Sequence, residues 1–297
     1  MNGRSALLVT VSLLATVASS TPSLAHPGSG IAVAPDGQVY FTDTGHGVWR
    51  IDLKGRLHSH PGPAFHWLAL DPDSAFASAP WPAPLSTETE RVGRHPTLVL
   101  GGDFPLTFGG DGALYFPRLR GRSLELIRQT PSGERAVHAA FSRAPSTREL
   151  RWLDGLTAGP EGSIYFSVGA ALGKVDRAGR ITAVVERVAV EGCVPLPGTS
   201  VELGPVLRDL DAADDGAVYV AAEGCGAVLR VTPAGAVEVV LRAESPWSPT
   251  AVAVDGDRLW VLEYWHPVEA RDRAEWMPRI RRRSADGTVE IIATVER

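Results

Sequence analysis

Residues 58–67 read HSHPGPAFHW, which puts three of the chain's 8 histidines within nine positions. Imidazole nitrogens ligate metals and exchange protons near neutral pH, so convergence of His58, His60 and His66 would make a metal or acid–base site. His58 and His60 stand two apart, and on a strand such residues share one face. The prolines and glycine of PGPA then interrupt the run before His66. A second group with chemical potential is scattered: Asp43, Arg118, Asp154, Arg208, Asp209, Glu263 and His266, with Trp67 and Trp152 among the tryptophans. Whether either group assembles depends on the elements that carry it.

The composition favours short elements. Of 297 residues 44% are hydrophobic and 21% charged, with 31 glycines and 23 prolines, the mix of a globular chain joined by many tight turns. The formal charge of −5 is not arranged in blocks, which argues against a nucleic-acid footprint or a polybasic membrane patch. The basic run RIRRR at 279–283 reads as an exposed strand.

Arg4, the apolar stretch 6–17 and the small-residue ending SLA at Ala25 predict a signal peptide over 1–25, removed to leave a single domain over 26–297. The apolar stretch is short for a membrane span. The chain is therefore expected in the periplasm or outside the cell, with no integral membrane segment in the mature form. In that setting an isolated pair, Cys193 and Cys225, reads as a disulfide.

Self-comparison yields one recurring phrase: IAVAPDGQVYFTD from Ile31, LTFGGDGALYFPR from Leu106, LTAGPEGSIYFSV from Leu156, LDAADDGAVYVAA from Leu210 and AVAVDGDRLWVLE from Ala251, with a degenerate copy, LALDPDSAFASAP, from Leu68. Each reads as strand, acidic-glycine turn, strand. A second hairpin phrase, such as VWRIDLKGRLHSH or VLRVTPAGAVEVVL, follows in five units, and the degenerate unit keeps a partial version near Val92 to Leu100. Repeats of four antiparallel strands at this spacing predict an all-β, six-bladed β-propeller, whose radial closure protects its sheet edges. The last strand is expected in its own blade, with no N-terminal strand completing it.

The pairing of IAVAPDGQVYFTD with VWRIDLKG resembles NHL-type repeats and the senescence marker protein/gluconolactonase superfamily of six-bladed propellers. That resemblance covers the mature chain and implies a fold shared by lactonases, lyases, other hydrolases and binding platforms. It also implies a divalent cation, Ca²⁺ or Mg²⁺, at the channel mouth of metal-dependent members. Asp154 in LDGL stands near the place of a ligand asparagine and Asp209 in RDLD near that of a ligand aspartate. The first-blade glutamate of those members has no counterpart, since HPGSGIAV offers Gly28 and Ser29 there.

Within such a blade the strands run outward from the channel. The loops after second strands and the connectors between blades then share one face, while the glycine turns share the other. Registering the innermost strands on their turns brings His66, Asp154, Arg208 and Asp209 to the channel mouth. The ends of second strands add Asp43, Arg118 and Glu263, with Glu223 and His266 just beyond. Cys193 and Cys225 fall on the same face.

Two functions are compatible with this map. One is an exported platform that binds a small polar molecule or an extracellular or periplasmic protein, with Asp43, Trp67, Arg118, Trp152, Glu263 and His266 as contacts. The other is a metal-dependent hydrolase or lyase in which Asp154, Asp209 and Glu263 hold the cation, and His66, Asp209 and Arg208 carry the chemistry. The chain has no G-x-S-x-G, no H-E-x-x-H and no phosphate loop, which disfavours serine hydrolase, zincin and nucleotide chemistry.

Overall fold

A computed structural model of the protein describes residues 27–44, 46–62, 65–71, 73, 75–76, 87–91, 97–102, 104–141, 152–193, 205–265 and 276–296. The leader predicted over 1–25 and the candidate His266 lie outside them.

The strands build a β-propeller. The first sheet holds β1 (Ile31–Val33), β2 (Val39–Asp43), β3 (Gly47–Ile51) and β4 (Leu57–His60) in that order. The second holds β5 (Trp67–Asp71), β6 (Thr87–Arg91) and β7 (Thr97–Gly101). The third runs through β8 (Thr107–Phe108), β9 (Leu114–Arg120), β10 (Ser123–Gln129) and β11 (Arg135–Phe141), and the fourth through β12 (Gly155–Ala158), β13 (Ile164–Val168), β14 (Ala171–Val175) and β15 (Ile181–Val185). The fifth comprises β16 (Leu207–Ala212), β17 (Val218–Ala222), β18 (Ala227–Val231) and β19 (Val237–Arg242), and the last β20 (Trp247–Asp255), β21 (Arg258–Trp265), β22 (Met277–Arg283) and β23 (Val289–Thr294). The innermost strands β1, β5, β8, β12, β16 and β20 adjoin in turn, and β20 adjoins β1. Apolar side chains fill the space between neighbouring sheets, as where Phe41 of the first sheet and Leu262 of the last share a cluster.

Five sheets have the expected four antiparallel strands; the second has three among the described residues. Its phrase does not form the expected hairpin. Instead β5 pairs directly with β7, Trp67 opposite Gly101 and Asp71 opposite Thr97, and β6 lies outside. PDS in this copy lacks the turn glycine that lets the other copies reverse at once. Phe76, where the second strand was expected, packs fully buried, its amide on the Asp71 carboxylate at 2.7 Å.

A repeated cross-strand pair explains much of the phrase. Tyr40 faces Arg50, Tyr115 faces Arg128, Tyr165 faces Lys174, Tyr219 faces Arg230 and Trp260 faces Arg282. The basic stem covers an aromatic neighbour and its head can reach a turn carboxylate, as Arg128 does with Asp111 at 2.7 Å and Arg230 with Asp215 at 2.6 Å. These positions serve the fold. The RIRRR run departs from its expected exposure: Arg279 is buried and Arg281 mostly so, both drawn inward by the Glu263 carboxylate.

Candidate functional site

The innermost strands approach closely where they enter the channel. Ser29 N–H donates to His66 O at 2.6 Å, and a Cβ on Gly30 would lie 2.5 Å from Leu68 N. Gly155 likewise faces Arg208 O and Leu210, where a Cβ would come within 3.0 Å. The glycine of LDGL is thus required by backbone proximity. These strands enclose an axial cavity of about 200 Å³, lined in part by Ser29, Trp67, Thr157, Asp209 and Asp211.

Asp209 and Asp211 stand two apart on β16. Inner strands leave edge amides unpaired, and this spacing matches two of them on β20: Val252 N–H donates to Asp209 Oδ2 at 3.2 Å and Val254 N–H to Asp211 Oδ2 at 2.7 Å. The Thr157 hydroxyl donates to Asp211 Oδ1 at 3.1 Å, so this carboxylate links β12, β16 and β20. Burial pushes the Asp209 carboxyl well above the usual range, opposed by the Val252 amide and reinforced by Asp211. Burial likewise raises Asp211 to about 6, against the pull of Val254, Thr157 and Ala212.

Beside Asp209, Arg208 takes part in a separate cluster. Its Nε donates to Glu223 Oε2 at 2.8 Å and its Nη2 to the same oxygen. Asp154 accepts the Gly169 amide on Oδ2 at 2.6 Å. Burial raises the Asp154 carboxyl, with Gly169 and Arg208 opposing that shift and Glu223 adding to it. Trp152 itself is 59% exposed. The arrangement presents an aromatic surface, a carboxylate and a guanidinium–carboxylate pair where β12 and β16, the innermost strands of the fourth and fifth sheets, enter the channel.

Cys193 and Cys225 form a disulfide with Cα atoms 4.6 Å apart. It joins the connector to a short 3-10 turn, Glu223–Cys225, which also presents Glu223 to Arg208.

Other candidates are placed differently. His58 and His60 lie on β4, the outermost strand of the first sheet, where His58 Nε2 meets Asp52 at 2.9 Å. His66 precedes the innermost strand β5; its Nδ1 lies 2.6 Å from Gly102 O, and because a carbonyl only accepts, Nδ1 carries the proton. Trp67 is buried edge-on to His66. Asp43 is fully buried and takes the Trp49 indole N–H at 2.9 Å. Arg118 pairs with Glu125 across β9 and β10 at 2.6 Å. Glu263 is fully buried, with Arg279 at 2.6 Å and Arg281 at 3.0 Å on its two oxygens.

The expected cation set therefore does not assemble. Asp154 is occupied by the Gly169 amide, Asp209 by a channel amide and Glu263 by two guanidinium groups. Among the described residues no three His, Cys, Asp or Glu side chains converge as ligands. The charge of Glu263 is already balanced across its own blade, which leaves it nothing to offer a metal at the mouth. Asp211 was the residue that sequence reasoning missed; its signal was the alternation of acids in RDLD on an innermost strand. The Gly169 amide carried no signal, being backbone.

No family model matches the chain, and no curated protein matches it by sequence. Solved structures do resemble it. Virginiamycin B lyase from Staphylococcus aureus is 18% identical with a TM-score of 0.51, over 89% of this chain and 83% of that one. Regucalcin, a calcium-binding protein from Agrobacterium tumefaciens, is 17% identical with a TM-score of 0.51, over 79% and 81%. A luciferin-regenerating enzyme is 10% identical with a TM-score of 0.53, over 84% and 86%. Likeness at these identities extends to the propeller fold.

Proposed function

We propose that this protein is an exported, six-bladed, NHL/gluconolactonase-like propeller that binds a small polar ligand at the channel mouth. The three-stranded second sheet counts as a reduced blade in this reading, because its strand β5 occupies a place in the ring of innermost strands. Neighbours on this fold include a lyase and a calcium-binding protein, so the fold does not select a chemistry and the site must.

The observation that carries the reading is the exposed Trp152 two residues before the half-buried Asp154, whose carboxylate is oriented by the Gly169 amide beside the Arg208–Glu223 pair. An exposed aromatic next to oriented polar groups gives contact area and direction to a small ligand. Export is supported by the leader-like sequence over 1–25 and by the disulfide.

The test is a screen of sugars, amines and carboxylic acids against the mature protein, followed through the Trp152 indole N–H resonance. Saturable shifts lost in Asp154→Ala support the mouth as the site. Saturable binding that leaves Trp152 unmoved and survives Asp154→Ala overturns it. Sequencing the N-terminus after expression in a secreting host checks export, with His26 the expected first residue.

A further inference from the structure

We infer that a separate anion site lies between the fifth and last sheets, where Arg279, stacked on Trp247, takes the carboxylate of a small monoanionic ligand. It uses none of the groups around Trp152 and Asp154, so it stands or falls independently of them.

Charge is the first ground. Glu263 on β21 is fully buried, and β22 supplies both of its partners. Arg279 Nε donates to Oε2 at 2.6 Å and Arg281 Nη1 to Oε1 at 3.0 Å. Arg279 lies directly opposite Glu263 in the ladder, and Arg281, two residues on, shares its face. Two guanidinium groups therefore stand on one carboxylate, and their side chains are only 8% and 14% exposed. Arg281 Nη1 also donates to Arg242 O at 3.3 Å, a neutral acceptor of the fifth sheet. Among the described residues no other acid forms an ion pair with either arginine. Glu223, tied to β20 by the Ser248 hydroxyl at 3.1 Å, has its Oε2 on Arg208. Glu244, whose carbonyl accepts the Trp247 amide, is exposed. The cluster thus carries one positive charge more than its carboxylate cancels, a surplus that burial makes costly and a single bound negative charge removes.

Geometry selects the anion. The Arg279 guanidinium carbon lies 4.1 Å from the centre of the Trp247 ring, a stacking distance. Stacking occupies one face of the planar group, and Glu263 occupies Nε. The two Nη nitrogens make no hydrogen bond among the described residues and are not sealed from solvent. That free edge is the fork that meets a carboxylate through two parallel hydrogen bonds. A carboxylate supplies both acceptors and the one charge required. A phosphate dianion brings more charge than the cluster lacks, and an amide brings none. The partly exposed Trp247 extends the site with flat apolar surface, which an aromatic carboxylate can cover.

Benzoate, its neutral counterpart benzamide, and inorganic phosphate serve as probes for the mature protein, titrated at pH 7.5 in low and moderate salt. The readouts are heat of binding and the Nε–H resonance of Arg279, which its bond to a buried carboxylate keeps observable. Benzoate is expected to shift that resonance saturably, to bind at least about tenfold more tightly than benzamide, as one charge-assisted contact requires, and to weaken with salt. Arg279→Lys keeps the charge but loses the fork and the stacking, and is expected to reduce the preference for benzoate about tenfold. Glu263→Gln raises the positive surplus and is expected to tighten benzoate binding. Benzamide or phosphate bound as tightly as benzoate overturns the monocarboxylate. A folded wild-type protein whose Arg279 resonance does not respond to benzoate overturns the site, whether or not the two variants fold.

Discussion

Cys225 ends the short turn that Glu223 begins, so the bridge to Cys193 fixes the carboxylate that grips Arg208. A crosslink between the connector and this turn and an ion pair at the channel entrance are one mechanical unit. Its loop spans a sequence separation of 32.

Reduction of this disulfide, or Cys193→Ser with Cys225→Ser, is expected to lower stability by about 3 to 4 kcal/mol on the chain-entropy estimate. Urea melts with and without reductant measure it. No change between the two would mean that the connector is held by other contacts.

Arg208 and Glu223 are a mostly buried pair, so removing one partner leaves a charge without compensation. Arg208→Met is expected to cost roughly 3 to 5 kcal/mol, and the double change Arg208→Met with Glu223→Leu considerably less. Equal losses in the single and double variants would contradict the coupling. Denaturant midpoints at constant m-value give the comparison.

Asp211 gives a pH dependence of defined sign. Its ordinary value is 3.8 and its folded value about 6, so between these the folded chain keeps a proton that the unfolded chain has lost. The contribution of Asp211 to stability is full below pH 3.8, falls as pH rises, and is lost above about 6, an amount of about 3 kcal/mol. Asp209 is shifted in the same direction and extends the decline upward. Thermal midpoints of wild type minus Asp211→Asn, from pH 4 to 8, should slope downward with pH; a flat difference would refute the assignment.

The three histidines should behave unequally. His66→Ala is expected to weaken ligand binding at the mouth, since its backbone and ring knit the first two inner strands and Gly102 together. Replacing His58 and His60 together, on the outermost β4, should leave binding nearly unchanged. The same calorimetric titration applied to both variants tells them apart.

Gly30→Ala should destabilise the fold by about 1 to 3 kcal/mol, because the new methyl would meet the backbone of Trp67 and Leu68. A thermal melt unchanged from wild type would show that the inner strands can part at no cost.

The repeat phrase contained the blades: the alternation of apolar positions, the turn glycines and the spacing of the hairpins are local, and local rules write themselves into sequence. The same phrase failed at its weakest copy, where a missing turn glycine let β7 take the place beside β5. Channel-mouth positions were legible to the extent that register follows from turns, which put His66, Asp154, Arg208 and Asp209 at strand entrances.

What each of those side chains does was decided by neighbours distant in sequence. Glu263 and Asp154 are both acids near strand ends, yet one is clasped by two arginines from the adjacent strand and the other accepts a backbone amide, with Arg208 acting on it beyond contact distance. Arg208 could as well have met Asp154 as Glu223. Pairing of charges depends on ångström-scale distances across strands and on how much water burial removes, and neither is encoded in residue type or spacing. The sequence alone determined the repeating sheet, its turns and the class of residue at the mouth; the tertiary structure decided which of those charges pair with which.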